Sequence, residues 1–300
     1  MANKLSVSNL LGIKYLNEDD IYLIFETARN FKEVINRKIK KVPSLRDITI
    51  ANLFFENSTR TKISFELAQK RLSADIVNFS SSSSSISKGE TLADTVNNIL
   101  SMKVDMVVMR HPSPGASVFL ANNIDSCIVN AGDGCHEHPT QALLDSFTLV
   151  ESLGDLNGKK IVIVGDILHS RVARSNIYLL NMLGAEVNIV APSNLLPKDI
   201  EKFGVNIFSN MKKGVKDCDI VMMLRLQNER MSSSFLSSNR EYYEYYGLTQ
   251  DKLEYAKSDS IIMHPGPMNR GIEIDTKLAD DTNMSVVKEQ VELGVAIRMA

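Results

Sequence analysis

The segment 48–61, ITIANLFFENSTRT, decides the fold because it runs from a strand pattern directly into a helix pattern. Residues 48–55 are apolar at nearly every position, which is typical of a strand covered on both faces in a parallel sheet. The next stretch, Thr61–Leu72, has the apolar spacing of a helix. A strand followed at once by a helix is half of a βαβ unit, so the segment predicts an α/β protein.

The same alternation of strand and helix patterns recurs along the rest of the chain. Helix patterns include Glu90–Leu100, Pro139–Leu153 and Arg171–Leu183. The further apolar runs are Ala74–Phe79, Asp105–Met109, Ser126–Asn130, Ile161–Gly165, Val187–Val190, Val205–Phe208, Asp219–Leu224 and Ser260–Met263. We therefore predict an α/β fold of two domains, each a parallel β-sheet flanked by helices, with a Rossmann-like second domain.

A chain of 300 residues exceeds the usual size of one domain. We place the boundary at the start of the Pro139–Leu153 pattern, which gives a first domain of residues 1–137 and a second of residues 138–284. The last segment, 285–300, carries the pattern of a helix over Ser285–Arg298. We expect this helix to pack back on the first domain.

The net charge is −2, from 34 basic and 36 acidic residues, so no overall field attracts nucleic acid or an anionic membrane. Positive charge for an anionic ligand must therefore be local. Met1–Leu11 lacks the apolar core of a signal peptide, and no apolar run approaches the roughly 20 residues that span a bilayer. The three cysteines, Cys127, Cys135 and Cys218, form no paired framework. These features predict a cytoplasmic protein.

The residues that join the first strand to its helix are suited to binding an anion. A helix N-terminus offers unpaired N–H groups and a partial positive charge. Ser58, Thr59 and Thr61 add hydroxyl groups, and Arg60 adds a forked cation that fits phosphate. The alternative is that Ser58 or Thr59 only caps the helix while Arg60 is solvated.

Two further strand ends of the first half carry similar chemistry. Arg110 follows the third strand pattern, and His138 and Gln141 follow the fourth. Because ligands bind at the carboxyl ends of strands in open parallel sheets, these residues and Arg60 predict a shared anion pocket. The run Cys135–His138 matches neither a zinc ribbon nor a metalloprotease helix, so we expect no metal, and we expect no other cofactor.

Five motifs in order give the chain a resemblance to a known family. It resembles the catalytic chains of aspartate carbamoyltransferases (aspartate transcarbamoylases) essentially from end to end. The motifs are FFENSTRT at 54–61, KGET at 88–91, HPTQ at 138–141, RVARS at 171–175 and HPGP at 264–267. The resemblance implies a transferase that moves the carbamoyl group of carbamoyl phosphate to the α-amine of L-aspartate, in the second step of de novo pyrimidine biosynthesis. It also implies that residues 1–137 bind carbamoyl phosphate and residues 138–284 bind aspartate.

The resemblance further implies a role for each matched residue. The phosphate would be held by Ser58, Thr59, Arg60 and Thr61, and the carbamoyl oxygen by Thr61, Arg110 and His138. The carbamoyl NH₂ would be oriented by Gln141 and by backbone carbonyls near Gly266 and Pro267, and the aspartate carboxylates would be held by Arg171, Arg225 and Gln227. In the family a lysine and a serine enter the site from the neighbouring subunit of a homotrimer, and these correspond to Lys88 and, within the run Ser80–Ser85, to Ser84. The resemblance implies that Lys88 reaches both substrates and so also binds aspartate. A regulatory chain or a dihydroorotase is a further partner that the family admits.

The close relatives of the family differ at two positions. Ornithine carbamoyltransferases commonly have Lys where this chain has Glu56, and His-Cys-Leu-Pro where it has His264–Pro267. Aspartate brings two carboxylates that need cationic forks, whereas the side-chain ammonium of ornithine would need an acid. One departure from the family is Gly266, where many relatives have Leu, and a contact through its backbone carbonyl would tolerate the change.

Other interpretations remain at this stage. The chain could carbamoylate another amine, such as ornithine or an acylated derivative, or it could be a non-catalytic assembly subunit. The strand pattern Ile161–Gly165 could belong to a nucleotide-binding oxidoreductase, although Gly165–His169 lacks the G-x-G-x-x-G turn. Without the family, Arg225 could equally form a surface salt bridge, and the tyrosines of 242–246 would only pack.

Overall fold

The structure is a computed structural model that describes residues 4–80, 91–227 and 238–300. The chain divides into two compact units, the first formed by Met1–Leu144 with Glu292–Ala300 and the second by Asp145–Val291. The division falls inside a helix, a few residues beyond the boundary predicted after residue 137. Each unit contains one parallel sheet flanked by helices, so the predicted α/β class is confirmed.

The sheet of the first unit has four parallel strands in the order β2-β1-β3-β4. Its inner strand β1 is buried from its second residue onward, which agrees with the continuous apolar run of residues 48–55. The strands are β1 Thr49–Phe54, β2 Asp75–Ser80, β3 Met106–His111 and β4 Cys127–Asp133.

The helices of the first unit cover this sheet and join its parallel strands. They are α1 Glu18–Ile35, α2 Thr59–Arg71, α3 Leu92–Leu100, α4 Ala116–Ala121 and α5 Pro139–Leu153, the last of which continues into the second unit. A single turn of 3₁₀-helix, Ile13–Tyr15, precedes α1. One core cluster brings α1 and α2 together with the end of the last helix of the chain, through Val34, Ala68, Val295 and Ala296.

The sheet of the second unit has five parallel strands in the order β7-β6-β5-β8-β9. Counted within this unit the order is 3-2-1-4-5, which is that of a Rossmann fold, so the predicted Rossmann-like second domain is confirmed. The strands are β5 Lys160–Val164, β6 Glu186–Val190, β7 Asn206–Phe208, β8 Ile220–Met223 and β9 Ile261–Met263.

The helices of the second unit flank its sheet, and the longest are its opening and closing ones. They are α6 Arg171–Met182, α7 Met211–Val215, α8 Asn239–Tyr246, α9 Gln250–Leu253, α10 Thr276–Asp280 and α11 Val287–Met299, which ends in the first unit. Turns of 3₁₀-helix lie at Ser193–Leu195 and Ile200–Phe203. Within the described ranges, no helix has both the length and the apolar character needed to cross a bilayer.

Two element boundaries differ from the sequence prediction in ways that affect the candidate site. Helix α2 begins at Thr59 instead of Thr61, because the amide of Lys62 already donates to the carbonyl of Ser58 at 3.2 Å. Strand β3 continues through His111, so Arg110 lies within the strand and not after it. Arg110 is therefore held by the sheet itself, which fixes its direction more firmly than a loop would.

Candidate active site

The carboxyl ends of the strands in the first unit meet at one edge of the sheet. In the strand register Phe54 lies beside Ser80 on one side and beside Arg110 on the other, and His111 lies beside Asp133. The strand order reverses between β1 and β3, which makes their carboxyl ends the switch point where ligands bind in open α/β sheets. The segment 55–61 and Arg110 both lie at this point.

Arg110 joins three segments at this edge. Its Nε donates to Glu56 Oε1 at 2.7 Å, and its Nη1 donates to Thr61 Oγ1 and to the carbonyl of Ala131, each at 3.3 Å. The Glu56 carboxylate also forms a 2.7 Å ion pair with Nη2, and the Arg110 side chain is only 13% exposed. The structure thus brings Arg110 and Thr61 together, and it identifies Glu56 as the counter-charge that holds the guanidinium in place.

The start of helix α2 presents its donors at the same edge. Ser58 is the N-cap residue of this helix, but its side chain makes no capping hydrogen bond. The first N–H groups of a helix have no partner within the helix and point along its axis. Thr59 and Arg60 are exposed in the first turn. This arrangement of amides, hydroxyls and a guanidinium suits a phosphate group.

His138 and Gln141 lie at the start of helix α5, directly beyond strand β4. His138 is buried, and its carbonyl accepts from the amide of Gln141 at 3.0 Å. A tight turn fixes this helix start, because the amide of Asp133 donates to the carbonyl of Glu137 at 3.1 Å and the amide of Glu137 donates to Asp133 Oδ1 at 3.1 Å. The two predicted residues are therefore placed at the carboxyl edge by the turn that ends β4.

The carboxylate of Asp133 is the centre of that turn. It accepts from the amide of Gly115 at 2.6 Å, from Asn130 Nδ2 at 2.9 Å and from the ring of His136 at 3.0 Å. Burial acts to raise the pKa of Asp133, but the hydrogen bonds from His136 and Asn130 outweigh it and hold the pKa below its ordinary value. Among the residues that the structure describes, no three His, Cys, Asp or Glu side chains form a group that could hold a metal ion.

The second unit repeats the arrangement at its own switch point, between β5 and β8. Arg171, the first residue of helix α6 after β5, is only 3% exposed. Its helix is capped by Ser170, whose side chain accepts from the amide of Ala173 at 3.1 Å. Arg225 follows β8, and its Nη2 donates to Gln227 Oε1 at 3.0 Å. Arg225 and Gln227, two of the four residues expected to bind aspartate, are thus in direct contact.

Two buried carboxylates hold the backbone that carries Arg225 and Gln227. The amide of Leu226 donates to Glu273 Oε1 at 3.0 Å, and the amide of Gln227 donates to Asp166 Oδ2 at 3.2 Å. Asp166 also accepts from the amide and the ring of His169, at 3.1 and 2.9 Å. Sequence reasoning missed both acids. The position of Asp166 directly after a strand was an available signal, whereas nothing local marks Glu273.

The turn that contains Gly266 and Pro267 follows strand β9. The amide of Gly266 donates to His264 Nδ1 at 2.8 Å, and the amide of His264 donates to Gln290 Oε1 at 3.2 Å. Gly266 has φ of +61°, in the region that favours glycine, and its bond to Pro267 is cis. The predicted site residues Ser84 and Lys88 lie outside the described residues.

Comparison with known proteins identifies the family to which this chain belongs. Residues 8–151 match the model of the aspartate/ornithine carbamoyltransferase carbamoyl-P binding domain, and residues 157–300 match that of its Asp/Orn binding domain. The aspartate carbamoyltransferase catalytic subunit of Flavobacterium psychrophilum is 67% identical over 297 residues, which is 99% of this chain and 96% of that protein. The chain belongs to the aspartate/ornithine carbamoyltransferase family, which confirms the resemblance inferred from the sequence.

Solved structures of both branches of the family have the same fold. The aspartate transcarbamoylase of Trypanosoma cruzi in complex with N-(phosphonacetyl)-L-aspartic acid has a TM-score of 0.86 at 32% identity, covering 97% of this chain and 93% of that one. The ornithine carbamoyltransferase of Pyrococcus furiosus has a TM-score of 0.86 at 28% identity, covering 97% and 94%. Fold similarity therefore does not separate the two activities, and the choice between them depends on residues.

Proposed function

We propose that this chain transfers the carbamoyl group of carbamoyl phosphate to the α-amine of L-aspartate, giving N-carbamoyl-L-aspartate and phosphate. The choice of aspartate rests on the cationic carboxyl edge of the second sheet, where Arg171 and Arg225 follow the two strands of the switch point. Two forked cations match the two carboxylates of aspartate. The ammonium of an ornithine side chain would instead be repelled there.

In this proposal the first unit binds carbamoyl phosphate. The N-terminus of α2 with Ser58, Thr59 and Arg60 holds the phosphate, and Thr61, Arg110 and His138 hold the carbamoyl oxygen. The 3.3 Å contact between Arg110 and Thr61 supports a shared task for these two groups. Gln141 and the backbone carbonyls at Gly266 and Pro267 orient the carbamoyl NH₂.

Glu56 supports the aspartate assignment from the first unit. Its carboxylate is bonded to the guanidinium of Arg110 at 2.7 Å. A lysine at this position, which ornithine carbamoyltransferases commonly have, would place two cations side by side. The neighbourhood of Arg110 must therefore differ between the two branches of the family, and this chain has the aspartate-type residue.

The reaction is an acyl-type transfer. The deprotonated α-amine of aspartate attacks the carbamoyl carbon, a C–N bond forms, and the carbonyl oxygen gains negative charge that Thr61, Arg110 and His138 stabilise. Preorganised donors of this kind contribute about 3–4 kcal/mol each. The C–O bond to phosphate then breaks, and the phosphate leaves with the proton of the attacking amine. Holding two anions in a reactive orientation supplies the rest of the acceleration, and no step of this mechanism uses a metal or an organic cofactor.

The assembly proposed is a homotrimer in which Ser84 and Lys88 enter the site of the neighbouring subunit. Exposed apolar residues next to that segment support a contact between subunits there. Strand β2, which leads into it, is the edge strand of the first sheet, and Val77 in this strand is 45% exposed. Ile63 and Leu67, one turn apart on α2, are 50% and 39% exposed. An apolar edge of this kind is typical of a surface that another subunit covers.

The setting that we propose is the cytoplasm, in the second step of de novo pyrimidine biosynthesis. The three cysteines, Cys127, Cys135 and Cys218, are free thiols, which fits a reducing compartment. Larger assemblies with a regulatory chain or a dihydroorotase are compatible with this proposal.

The activity is tested with purified protein, radiolabelled carbamoyl phosphate and either L-aspartate or L-ornithine. We expect labelled N-carbamoyl-L-aspartate to accumulate and no labelled citrulline to form. Citrulline formation would assign the chain to the ornithine branch, and no product with either amine would reject the enzyme proposal. Calorimetry with the bisubstrate analogue N-(phosphonacetyl)-L-aspartate, combined with mass measurement, then tests the number of sites and the trimer.

A further inference from the structure

Glu273 is a fully buried carboxylate in the segment between β9 and α10. Its Oε1 accepts from the amide of Leu226 at 3.0 Å and from Asn269 Nδ2 at 2.7 Å, and its Oε2 accepts from the amide of Asn269 at 2.5 Å. Two of these donors lie within its own loop, whereas Leu226 is 47 residues away in sequence. One side chain thus ties the end of β8 to the loop that follows β9.

The segment held by Glu273 is the one that presents Arg225 and Gln227. Leu226, between them, is 1% exposed and packs against Leu195 and Tyr242. With the side chain of Leu226 buried and its amide bonded to Glu273, the two flanking side chains lie on the other side of the chain, where Arg225 contacts Gln227 at 3.0 Å. The direction of both side chains therefore depends on the bond to Glu273.

Glu273 also faces the turn that precedes it. His264 Nδ1 accepts from the amide of Gly266, so the neutral ring carries its proton on Nε2. That Nε2 lies 3.9 Å from Glu273 Oε2, and both side chains are fully buried. The same carboxylate is therefore adjacent to the segment expected to bind aspartate and to the turn expected to orient the carbamoyl NH₂.

We propose that Glu273 is a positioning residue that sets the direction of Arg225 and Gln227 toward aspartate, an inference that rests on the proposed function. A buried carboxylate beside a site for a dianion is unfavourable in itself, and burial indeed raises the pKa of Glu273 although Leu226, Asn269 and Arg225 act to lower it. The presence of this buried acid is explained by the two backbone amides that it binds, those of Leu226 and Asn269. Side chains that bind substrate must be held in place by neighbouring groups, because a small displacement weakens their contacts with the substrate.

The first test is Glu273→Gln, which keeps the shape and one acceptor but turns an NH₂ group toward the donors of Asn269. We expect the KM for aspartate to rise at least tenfold, with a several-fold loss of kcat, while the KM for carbamoyl phosphate changes less than twofold. A folded variant whose KM for aspartate stays within twofold of the wild type would overturn the proposal.

A matched control is Asp219→Asn in the same unit. Asp219 is also a buried carboxylate that accepts from a backbone amide, that of Lys160 at 2.9 Å, but it lies at the amino ends of the strands, away from the switch point. We expect this variant to lower the melting temperature and to leave both KM values unchanged. If Asp219→Asn raised the KM for aspartate as much as Glu273→Gln does, the effect of Glu273 would be general destabilisation and the proposal would fail.

Two further variants decide the matter if Glu273→Gln does not fold. Asn269→Ala removes one donor and leaves Glu273 in place, and we expect a rise of about threefold in the KM for aspartate. Adding Asn269→Ala to a protein that already carries Arg225→Ala and Gln227→Ala should change that KM less than twofold further, since both positioned side chains are already gone. Unchanged kinetics in Asn269→Ala, or full additivity when it is added to the other two changes, would reject the role. A wild-type protein that fails to carbamoylate aspartate would instead reject the proposed function.

Discussion

The carboxyl edges of the two sheets are built differently, although each lies at the switch point of a parallel sheet. At the edge of the first sheet, the cationic groups are held by contacts close to the strands, such as the bond of Arg110 to Glu56. At the edge of the second sheet, two buried acids, Asp166 and Glu273, hold the backbone amides of the segment that carries Arg225. The first edge thus fixes the Arg110 side chain directly, whereas the second fixes the main chain from which Arg225 and Gln227 extend.

The difference follows from the two ligands that we assign. A phosphate group is small and is held mostly by a helix N-terminus, whose amides are fixed by the helix. Aspartate carries two carboxylates in a defined relation to its amine, so the direction of long arginine side chains matters more. The acids differ accordingly: hydrogen bonds hold the pKa of Asp133 low in the first unit, whereas burial raises the pKa of Glu273 in the second.

The largest effect is expected from Arg110→Ala, which removes a donor to the developing oxyanion. We expect kcat to fall by about 100- to 1,000-fold, as for the loss of one oxyanion-hole donor. Steady-state kinetics at saturating aspartate measures this. The double variant Arg110→Ala with Glu56→Gln removes the carboxylate left without its partner, and recovery of kcat in that variant would show that the stranded charge caused the loss.

A somewhat smaller effect is expected from Arg225→Ala. The loss of charge-assisted hydrogen bonds, about 1.5–3 kcal/mol, should raise the KM for aspartate about 10- to 150-fold and change the KM for carbamoyl phosphate far less. Arg270→Ala is the control, because Arg270 lies in the same unit but pairs with Asp280 at the surface. Equal changes in the two KM values would contradict the role assigned to Arg225.

Arg60→Ala should have the opposite selectivity to Arg225→Ala: it should raise the KM for carbamoyl phosphate and change the KM for aspartate far less. Arg60 is exposed, so solvent weakens its interaction with phosphate, and we expect a rise of about tenfold in the KM for carbamoyl phosphate. Lys70→Ala, at the other end of the same helix, serves as the control and should leave that KM unchanged. If Arg60→Ala also left turnover and carbamoyl phosphate affinity intact, the phosphate would have to bind elsewhere.

The smallest effect is expected on stability, from Asp133→Asn. The folded-state pKa of Asp133 lies below its unfolded value, so its contribution is present above about pH 4 and is lost as the pH falls through the folded pKa. We expect Asp133→Asn to lower the free energy of unfolding at pH 7 by about 1 kcal/mol and to flatten its decline in acid. Urea unfolding followed by circular dichroism from pH 7 to pH 3 measures both, with the exposed Asp125→Asn as control.

The sequence predicted the nine strands of the described residues and the helices α2, α3, α5, α6 and α11 near their observed positions, because continuous apolar runs and helical spacing are local signals. It did not predict α1, the longest helix among the described residues. It also placed Arg60, Arg110 and Arg225 at strand ends, since each follows such a run closely. The misplaced start of helix α2 and the short estimate of β3 show the limit of those signals. Ends of elements depend on hydrogen bonds such as that from Lys62 to Ser58, which spacing does not reveal.

The sequence by itself therefore determined the parallel α/β class, the division into two sheets and the cations at the strand ends. Only the tertiary structure decided the strand orders β2-β1-β3-β4 and β7-β6-β5-β8-β9, which bring those ends to switch points. It alone paired Arg110 with Glu56, 54 residues away, and Leu226 with Glu273. The physical reason is that local patterns show which face of an element is buried, whereas a bond between residues far apart in sequence exists only once the sheet that brings them together has formed.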